Sequence, residues 1–435
     1  MKVESKIGLK NAVAIGIGGM VGGGIFAVLG LAVQLAKGGT PVAFLIAGVI
    51  AIITAYSYAR LSLFFPSKGG TVHYINKGFG KNVFSGGTNN LLWISYIIML
   101  SLYSSAFGSY GAKLFSIIGE YEIDKHIMLS SLIILSTLLN YISFKAVSVA
   151  ESVAVFTKMI ILSAFVVVGI YGLFSSGLTY QLDVSQWKSP IVLISGGMVI
   201  FVAYEGFELI ANAVPNIINP KINVPKAFYI STISVVILYV LIGIITVGSV
   251  SFDKIGEAQE YVLAVASEPM LGKIGFTIIS ITALISTFSA VNATLYGGSR
   301  VNYELAETDE LPHEFTKIFW NQPIGLAVTA ILTLIIANTL NLESISTAGS
   351  AGFLLIFALV NFANYKLAKI TESKKIISLL GTLLCSIALI ALLYQQYSAN
   401  IVGVIAICAI FIQAYGFEFF FKKWEKRRGK FASIR

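Results

Sequence analysis

Three ionisable residues, Lys158, Glu205 and Glu208, stand inside long apolar runs, and six glycines crowd positions 16–24. Both patterns are costly in a nonpolar medium. A charged side chain in mid-membrane is expensive and marks an ion or substrate path. Each glycine costs a helix about 1 kcal/mol relative to alanine, so Gly16-Ile-Gly-Gly-Met-Val-Gly-Gly-Gly24 predicts an unwound segment. Lipid cannot satisfy the freed N–H and C=O groups, which must face protein, water or a ligand. A broken helix at the midplane is one way in which membrane proteins build a substrate site. Gly18-x-x-x-Gly22 and Gly19-x-x-x-Gly23 also fit close helix packing, and that alternative stays open. Gly22-x-Gly24-x-x-Ala27 matches a relaxed dinucleotide fingerprint but lacks the flanking βαβ pattern. No small-residue cleavage site follows to make the run a signal segment.

The elements that must position these groups are set by composition. The 435 residues are 56% hydrophobic and 12% charged, with mean hydropathy +0.84, whereas a soluble domain carries about 25% charge. The chain therefore reads as one polytopic membrane domain over residues 1–435. A net charge of +9 does not indicate nucleic acid, because the basic residues lie between apolar segments and form no stripe. Cys385 and Cys408 sit inside apolar runs as packing residues, and His73, His126 and His313 fall in different loops. No metal or cofactor is expected.

Runs of about 17–25 apolar residues span a bilayer. Twelve are found, at 9–36, 42–65, 84–118, 127–142, 147–174, 191–214, 227–250, 274–301, 324–340, 345–367, 376–394 and 401–421. With a cytoplasmic N-terminus, twenty-three lysines and arginines fall on the inside and six outside, Lys158 belonging to neither. The asymmetry places both termini in the cytoplasm and supports an even number of spans in a cell membrane. Lys145 and Lys2 belong to the inside set, and the tail from Lys422 to Arg428 reads as a lipid anchor. Trp187, Trp320 and Trp424 lie at the expected interfaces. Between spans, Phe252–Ser267 carries apolar residues at helical spacing and predicts a surface helix over the outer mouth.

The sixth span contains Phe201-Val-Ala-Tyr-Glu205-Gly206-Phe-Glu208. Two glutamates and a glycine at mid-span predict a second break, five spans after the first. Two five-helix halves, 9–174 and 191–367, would then be inverted copies with a broken helix at matching positions, and 376–421 would be two added helices. A rise of 1.5 Å per residue puts Lys158 roughly 16 Å from the inside and Gly18–Gly24 about 14–22 Å in. Ser286 and Thr287 fall on the order of 20 Å from the inside, and Gly206 about 22 Å from the outside. All share one slab near the middle of a core about 30 Å thick. Glu151 lies nearer the cytoplasmic edge and Glu418 near the last span's end.

That slab suits a zwitterion. Amides freed near Gly22, Gly23 and Gly24 point at the midplane with the positive end of a helix dipole, and favour a carboxylate. Carbonyls freed near Phe201–Tyr204 favour an ammonium. An anion site and a cation site a few ångströms apart fit an α-amino acid.

The stretch Gly-Gly-Met-Val-Gly-Gly-Gly-Ile-Phe26 resembles the first-helix motif of the amino acid–polyamine–organocation transporters, and Gly206-Phe207-Glu208 resembles their sixth-helix motif. Pro66-x-x-Gly69-Gly70 and Asn140-Tyr-x-x-x-Lys145 resemble the ends of their second and fourth helices. The resemblance implies an all-α membrane protein of the leucine-transporter type: twelve transmembrane helices, ten of them a 5+5 inverted repeat with helices 1 and 6 broken. It implies that Gly22, Gly23 and Gly24 hold the substrate carboxylate, that Phe201 and Ala203 offer backbone oxygens to its amine, and that Gly206 completes the site. Glu208 belongs to the motif; Glu205 has no counterpart in it. Sodium-coupled relatives of this fold place an ion where Gly18, Gly19, Val21, Ala283, Ser286 and Thr287 would fall here. Lys158, at the same depth, would put its ammonium on that spot and make a proton the coupling ion.

The sequence thus predicts a proton-coupled, sodium-independent transporter of mostly neutral amino acids, with an amino acid and a proton as small-molecule partners and the bilayer as surroundings. An exchanger, a polyamine carrier and a transporter-like nutrient sensor stay open. An intramembrane enzyme does not fit, because His-Glu-x-x-His, Gly-x-Ser-x-Gly and paired intramembrane aspartates are all missing from the sequence.

Overall fold

In a computed structural model, residues 6–142, 144–320 and 322–432 are described, without side chains at 144–153 or beyond Trp424. Lys2 and the side chains of Lys145, Glu151 and the basic tail past Trp424 therefore lie outside the described residues. The chain is helical almost throughout: α1 (Leu9–Met20), α2 (Gly24–Ala36), α3 (Thr40–Phe64), α4 (Gly70–Phe79), α5 (Val83–Phe115), α6 (Tyr121–Ile142), α7 (Phe144–Leu173) and α8 (Pro190–Val199). There follow α9 (Leu209–Ala213), α10 (Pro220–Ser249), α11 (Phe252–Glu257), α12 (Val262–Glu307), α13 (Gly325–Thr339), α14 (Leu342–Lys366), α15 (Lys375–Ala399) and α16 (Ile401–Ala432). Two-residue strands, Ile318–Phe319 and Gln322–Pro323, pair antiparallel before α13.

Nine described helices are long and apolar enough to cross a membrane, or up to eleven if each of two bent pairs is one span. The run expected at 324–340 is α13, fifteen residues long, which at 1.5 Å per residue reaches about 22 Å. The surface helix expected over Phe252–Ser267 is divided. α11 stops at Glu257, a turn covers Ala258–Tyr261, and Val262 opens α12, which bends at Gly272 (φ 58°). The reason is tertiary. A Cβ on Gly30 would stand 2.1 Å from the Gln259 carbonyl oxygen, so the chain lies flat on α2 there and cannot continue its helical course.

The core follows from burial. α5 starts at a capping box, Asn82 with Ser85, and is buried almost from end to end. It packs against α6, α12, α13, α14 and α16. α15 and α16 lie at the periphery and turn Ile387, Ile390, Ile405 and Ile412 outward, as lipid-facing helices do. The two bent pairs, α1–α2 (45°) and α8 with the segment Phe201–Asn216 that contains α9 (53°), run through the interior. They are joined by backbone at both ends. Ile7 N–H donates to Asn216 O at 2.8 Å and Ile218 N–H to Ile7 O at 3.0 Å, while Gly38 N–H donates to Gln186 O at 3.3 Å in the Lys37–Trp187 bridge.

Candidate functional site

The first break spans Val21–Gly23 between α1 and α2. Gly22 N–H turns back to Gly19 O at 3.3 Å, and α2 begins at Gly24 with no side chain capping it. Its leading amides, as at any helix start, have no intrahelical acceptor. The second break runs from a 3₁₀ turn, Phe201–Tyr204, through Gly206, whose φ of 106° only glycine adopts readily, to α9. The carbonyl at the end of α8 is held by α14: Ser346 and Ser350 Oγ donate to Val199 O at 2.7 and 2.8 Å, and Ser350 Oγ accepts from Val202 N–H at 3.0 Å.

The two breaks meet without side chains between them. A Cβ on Gly206 would lie 2.4 Å from the Gly19 carbonyl carbon, and one on Gly24 would lie 2.8 Å from Ala203 Cα. The Tyr239 hydroxyl stands between Met20 O (2.7 Å) and Ala203 O (3.3 Å), one carbonyl from each break. Gly24 thus lies on Ala203 and Gly19 on Gly206, whereas Gly22 faces Ala290 and Gly23 the Tyr103 ring. Phe201 shares the Ala203 turn, and its ring packs edge-on against Phe357.

The residues expected from the sequence at an ion site do not all gather at the first break. Lys158, 1% exposed, donates from Nζ to Gly18 O at 3.1 Å. Ser286 Oγ donates toward Val21 O (2.8 Å) and Gly22 O (2.5 Å). Thr287 does not join them: its hydroxyl bonds Ala283 O of its own helix at 2.7 Å. Gly19 O receives the Tyr103 hydroxyl at 3.4 Å. That tyrosine also touches Glu205 Oε2 at 3.4 Å, and its ring covers Gly23, where a Cβ would meet Cδ1 at 2.2 Å. Glu208 is held by Gly206 N–H (2.7 Å) and the Tyr96 hydroxyl (2.9 Å).

The sequence reading missed Tyr96, Tyr103, Tyr239, Ser346 and Ser350. A signal was present, since Ser101, Tyr103, Ser104 and Ser105 interrupt the third apolar run. Polar groups buried in lipid need partners, and these mark a face turned to other helices. Among the described residues, no three His, Cys, Asp or Glu side chains gather as a metal site.

Just before α12, Glu260 is held by Ser109 Oγ (2.8 Å), the Tyr121 hydroxyl (2.9 Å) and Lys125 Nζ (2.6 Å). Beyond the C-terminal end of α12, Glu310 accepts from Asn76 and Asn89 at 3.1 and 2.9 Å, and burial holds its carboxyl above the ordinary carboxylate range.

A profile of the amino acid permease family matches residues 7–428. Uncharacterized protein MJ0609 of Methanocaldococcus jannaschii is 34% identical over 98% of this chain and 97% of its own length. Inner membrane transport protein YbaT of Escherichia coli is 31% identical over 90% of each. Cationic amino acid transporter 9, chloroplastic, of Arabidopsis thaliana is 25% identical over 72% of this chain and 57% of that protein. The chain belongs to the amino acid permease family of the amino acid–polyamine–organocation superfamily, and is a multi-pass membrane transporter rather than an enzyme.

Proposed function

We propose that the protein is a secondary active amino acid transporter, a proton symporter indifferent to sodium, with broad tolerance for mostly neutral L-amino acids. Within the family the chain resembles the proton-coupled member ApcT. The proposed frame is a single domain in a cell membrane with both termini cytoplasmic. It has twelve spans in leucine-transporter arrangement, with inverted repeats 9–174 and 191–367 and added helices 376–421, and it alternates access around the two breaks. The substrate carboxylate sits on the Gly22, Gly23 and Gly24 amides, its ammonium near the Phe201 and Ala203 carbonyls, and Gly206 lets the second break approach.

One observation carries the coupling assignment: Lys158 Nζ lies on the Gly18 carbonyl beside Val21, Ser286 and Gly19. Two unit charges about 4 Å apart in an effective dielectric of about 20 repel by about 4 kcal/mol, so a lysine ammonium excludes sodium from these oxygens. Coupling then requires the amine to release its proton once per cycle. The test is uptake of radiolabelled amino acids into proteoliposomes, in sodium and in choline, at several pH values, for wild type and Lys158→Ala. Uptake should ignore sodium, rise at acid outer pH, and be lost in the variant while substrate still binds. Sodium-dependent uptake by wild type, or pH-driven accumulation by the variant, overturns the assignment. A carrier of cationic amino acids or polyamines is the second reading, supported by the buried carboxyls of Glu205 and Glu208 and by the name of the Arabidopsis relative. Competition by lysine or putrescine in the same assay separates the two.

A further inference from the structure

Away from the centre of the bundle, two lipid-facing helices carry polar side chains on a surface where hydrocarbon offers them no partner. Only 33% of the apolar stretch of α6 is buried within the protein. Near its start Glu122, His126 and Ser130 recur every four residues and lie along one side. With Ile123, Ile127 and Asn338 of α13 they line a surface cavity of about 420 Å³. Continued at the same spacing, the α6 row runs into Ile134 and Leu138, both exposed. The two helices are antiparallel: His126 meets Asn338 near the end of α13, and Gln322, just ahead of α13, donates to Asn140 O near the end of α6. Leading away from Asn338 on α13 are Ile335 and Ile331, exposed as well. The cleft is therefore polar at one end and apolar along the rest, which is the pattern of a lipid, a headgroup followed by its chains. Its polar end lies at the start of α6 and the end of α13, at the rim of the hydrocarbon core where headgroups sit.

Hydrogen bonds within the cleft fix what that headgroup must offer. Asn338 Nδ2 donates to Leu334 O at 2.8 Å and to Ser130 Oγ at 3.1 Å, which turns Oδ1 toward His126 Nδ1, 2.8 Å away. An amide oxygen only accepts, so Nδ1 carries the hydrogen, and in the neutral ring Nε2 is an acceptor. The Glu122 carboxylate, one turn nearer the start of α6, is a second acceptor. The charged residues between them are engaged elsewhere. Asp124 accepts from the Ile118 and Gly119 amides at 2.8 and 3.2 Å, and Lys125 donates to Glu260 at 2.6 Å. Two acceptors about 6 Å apart along the helix, one of them anionic, call for a cation with several N–H donors. A primary ammonium has three, and a quaternary ammonium has none.

We propose that the cleft between α6 and α13 binds a phospholipid whose headgroup bears a primary amine. The ammonium lies between Glu122 and His126 Nε2, and the acyl chains lie on Ile134, Leu138, Ile335 and Ile331. The site is independent of the transported substrate and of the coupling ion.

Native mass spectrometry of the whole protein tests it, with phosphatidylethanolamine, its N-methyl and N,N-dimethyl forms, phosphatidylcholine and phosphatidylglycerol, all of identical acyl chains. Wild type should retain phosphatidylethanolamine about tenfold more tightly than phosphatidylcholine, the factor expected for a hydrogen bond to a charged group. Retention should fall with each methyl added, and phosphatidylglycerol should be held no better than phosphatidylcholine. Equal retention of phosphatidylethanolamine and phosphatidylcholine overturns the site, and this series uses wild type alone, so it does not depend on how a variant folds. Glu122→Gln should bring the two lipids level; an undiminished preference is a refutation. His126→Phe separates lipid binding from a mere clasp between the helices. A clasp predicts lower melting in every lipid with the preference intact, which overturns the proposal; the lipid site predicts that the preference is lost. Free ethanolamine should not displace the lipid. Displacement would make the cleft an aqueous amine site, and a protein dimer in place of lipid adducts would assign it to a second copy of the chain; either result refutes the lipid.

Discussion

Replacing Gly206 with alanine attacks the point where the two breaks touch. The residue has φ of 106°, and its added Cβ would lie 2.4 Å from Gly19 C and 2.6 Å from Met20 N. The dihedral strain costs about 1–3 kcal/mol for a residue with a side chain. The clash adds about 1–3 kcal/mol, because the atoms met are backbone and cannot swing aside. Together these come to on the order of 4 kcal/mol, a fall in melting temperature of about 4–8 °C for a chain this large. Gly297→Ala is the control. It lies within α12 with nothing within 4 Å of an added Cβ, so the same substitution should be neutral or stabilise by about 0.5–1 kcal/mol. The assay is thermal unfolding in detergent with and without a neutral amino acid. Gly206→Ala should melt well below wild type and lose stabilisation by substrate, since Gly19 and the start of α9 must separate. Equal melting of the two variants would show that the breaks are not in backbone contact.

Three further outcomes are expected. Gly23→Val should displace Tyr103 and abolish stabilisation by amino acids while the protein still elutes as a single species; retained stabilisation would refute the carboxylate placement. Glu260→Ala removes the acceptor of Lys125, Ser109 and Tyr121 and should cost about 1.5–3 kcal/mol of stability, as for hydrogen bonds to a charged group; an unchanged melting curve would refute it. Because burial holds the Glu310 carboxyl above its ordinary value, the folded state binds its proton more tightly than the unfolded chain. Its stabilising contribution is complete below the unfolded pKa and fades as pH rises through the folded one. Glu310→Gln should therefore flatten the pH dependence of melting on that interval, and an unaltered slope there would contradict it.

Much of the architecture can be read from residue types, because lipid enforces simple rules. Long apolar runs must be helices, and a cluster of six glycines or a pair of glutamates in such a run forces an exception. Depth counting alone brings Lys158, Gly18 and Ser286 to one level, and the structure has Lys158 bonding to Gly18 O in the last turn of α1 and Ser286 to Val21 O in the break that follows. What residue spacing does not carry is which side chains cross between helices. Tyr103 meets Gly19 from 84 positions away and Tyr239 meets Met20 from 219; no local pattern encodes such pairs. The turn at Ala258–Tyr261 fails for the same reason: helical periodicity favours a continuous helix, and the contact of Gln259 with Gly30 overrides it.

The backbone bridges at the two ends of the bent pairs bear on how water reaches the centre. Ile7 is tied to Ile217 at one end, Lys37 to Trp187 at the other, and Gly19 lies on Gly206 between them. A wedge of solvent cannot open along this seam without breaking hydrogen bonds at one end and pulling the glycines apart. On the transport reading proposed above, the wetted route runs instead along the outer flanks of the joined pair, which pack on α5, α12 and α14. Cysteines placed on those flanks should change reactivity during turnover, and cysteines placed along the seam should stay protected throughout.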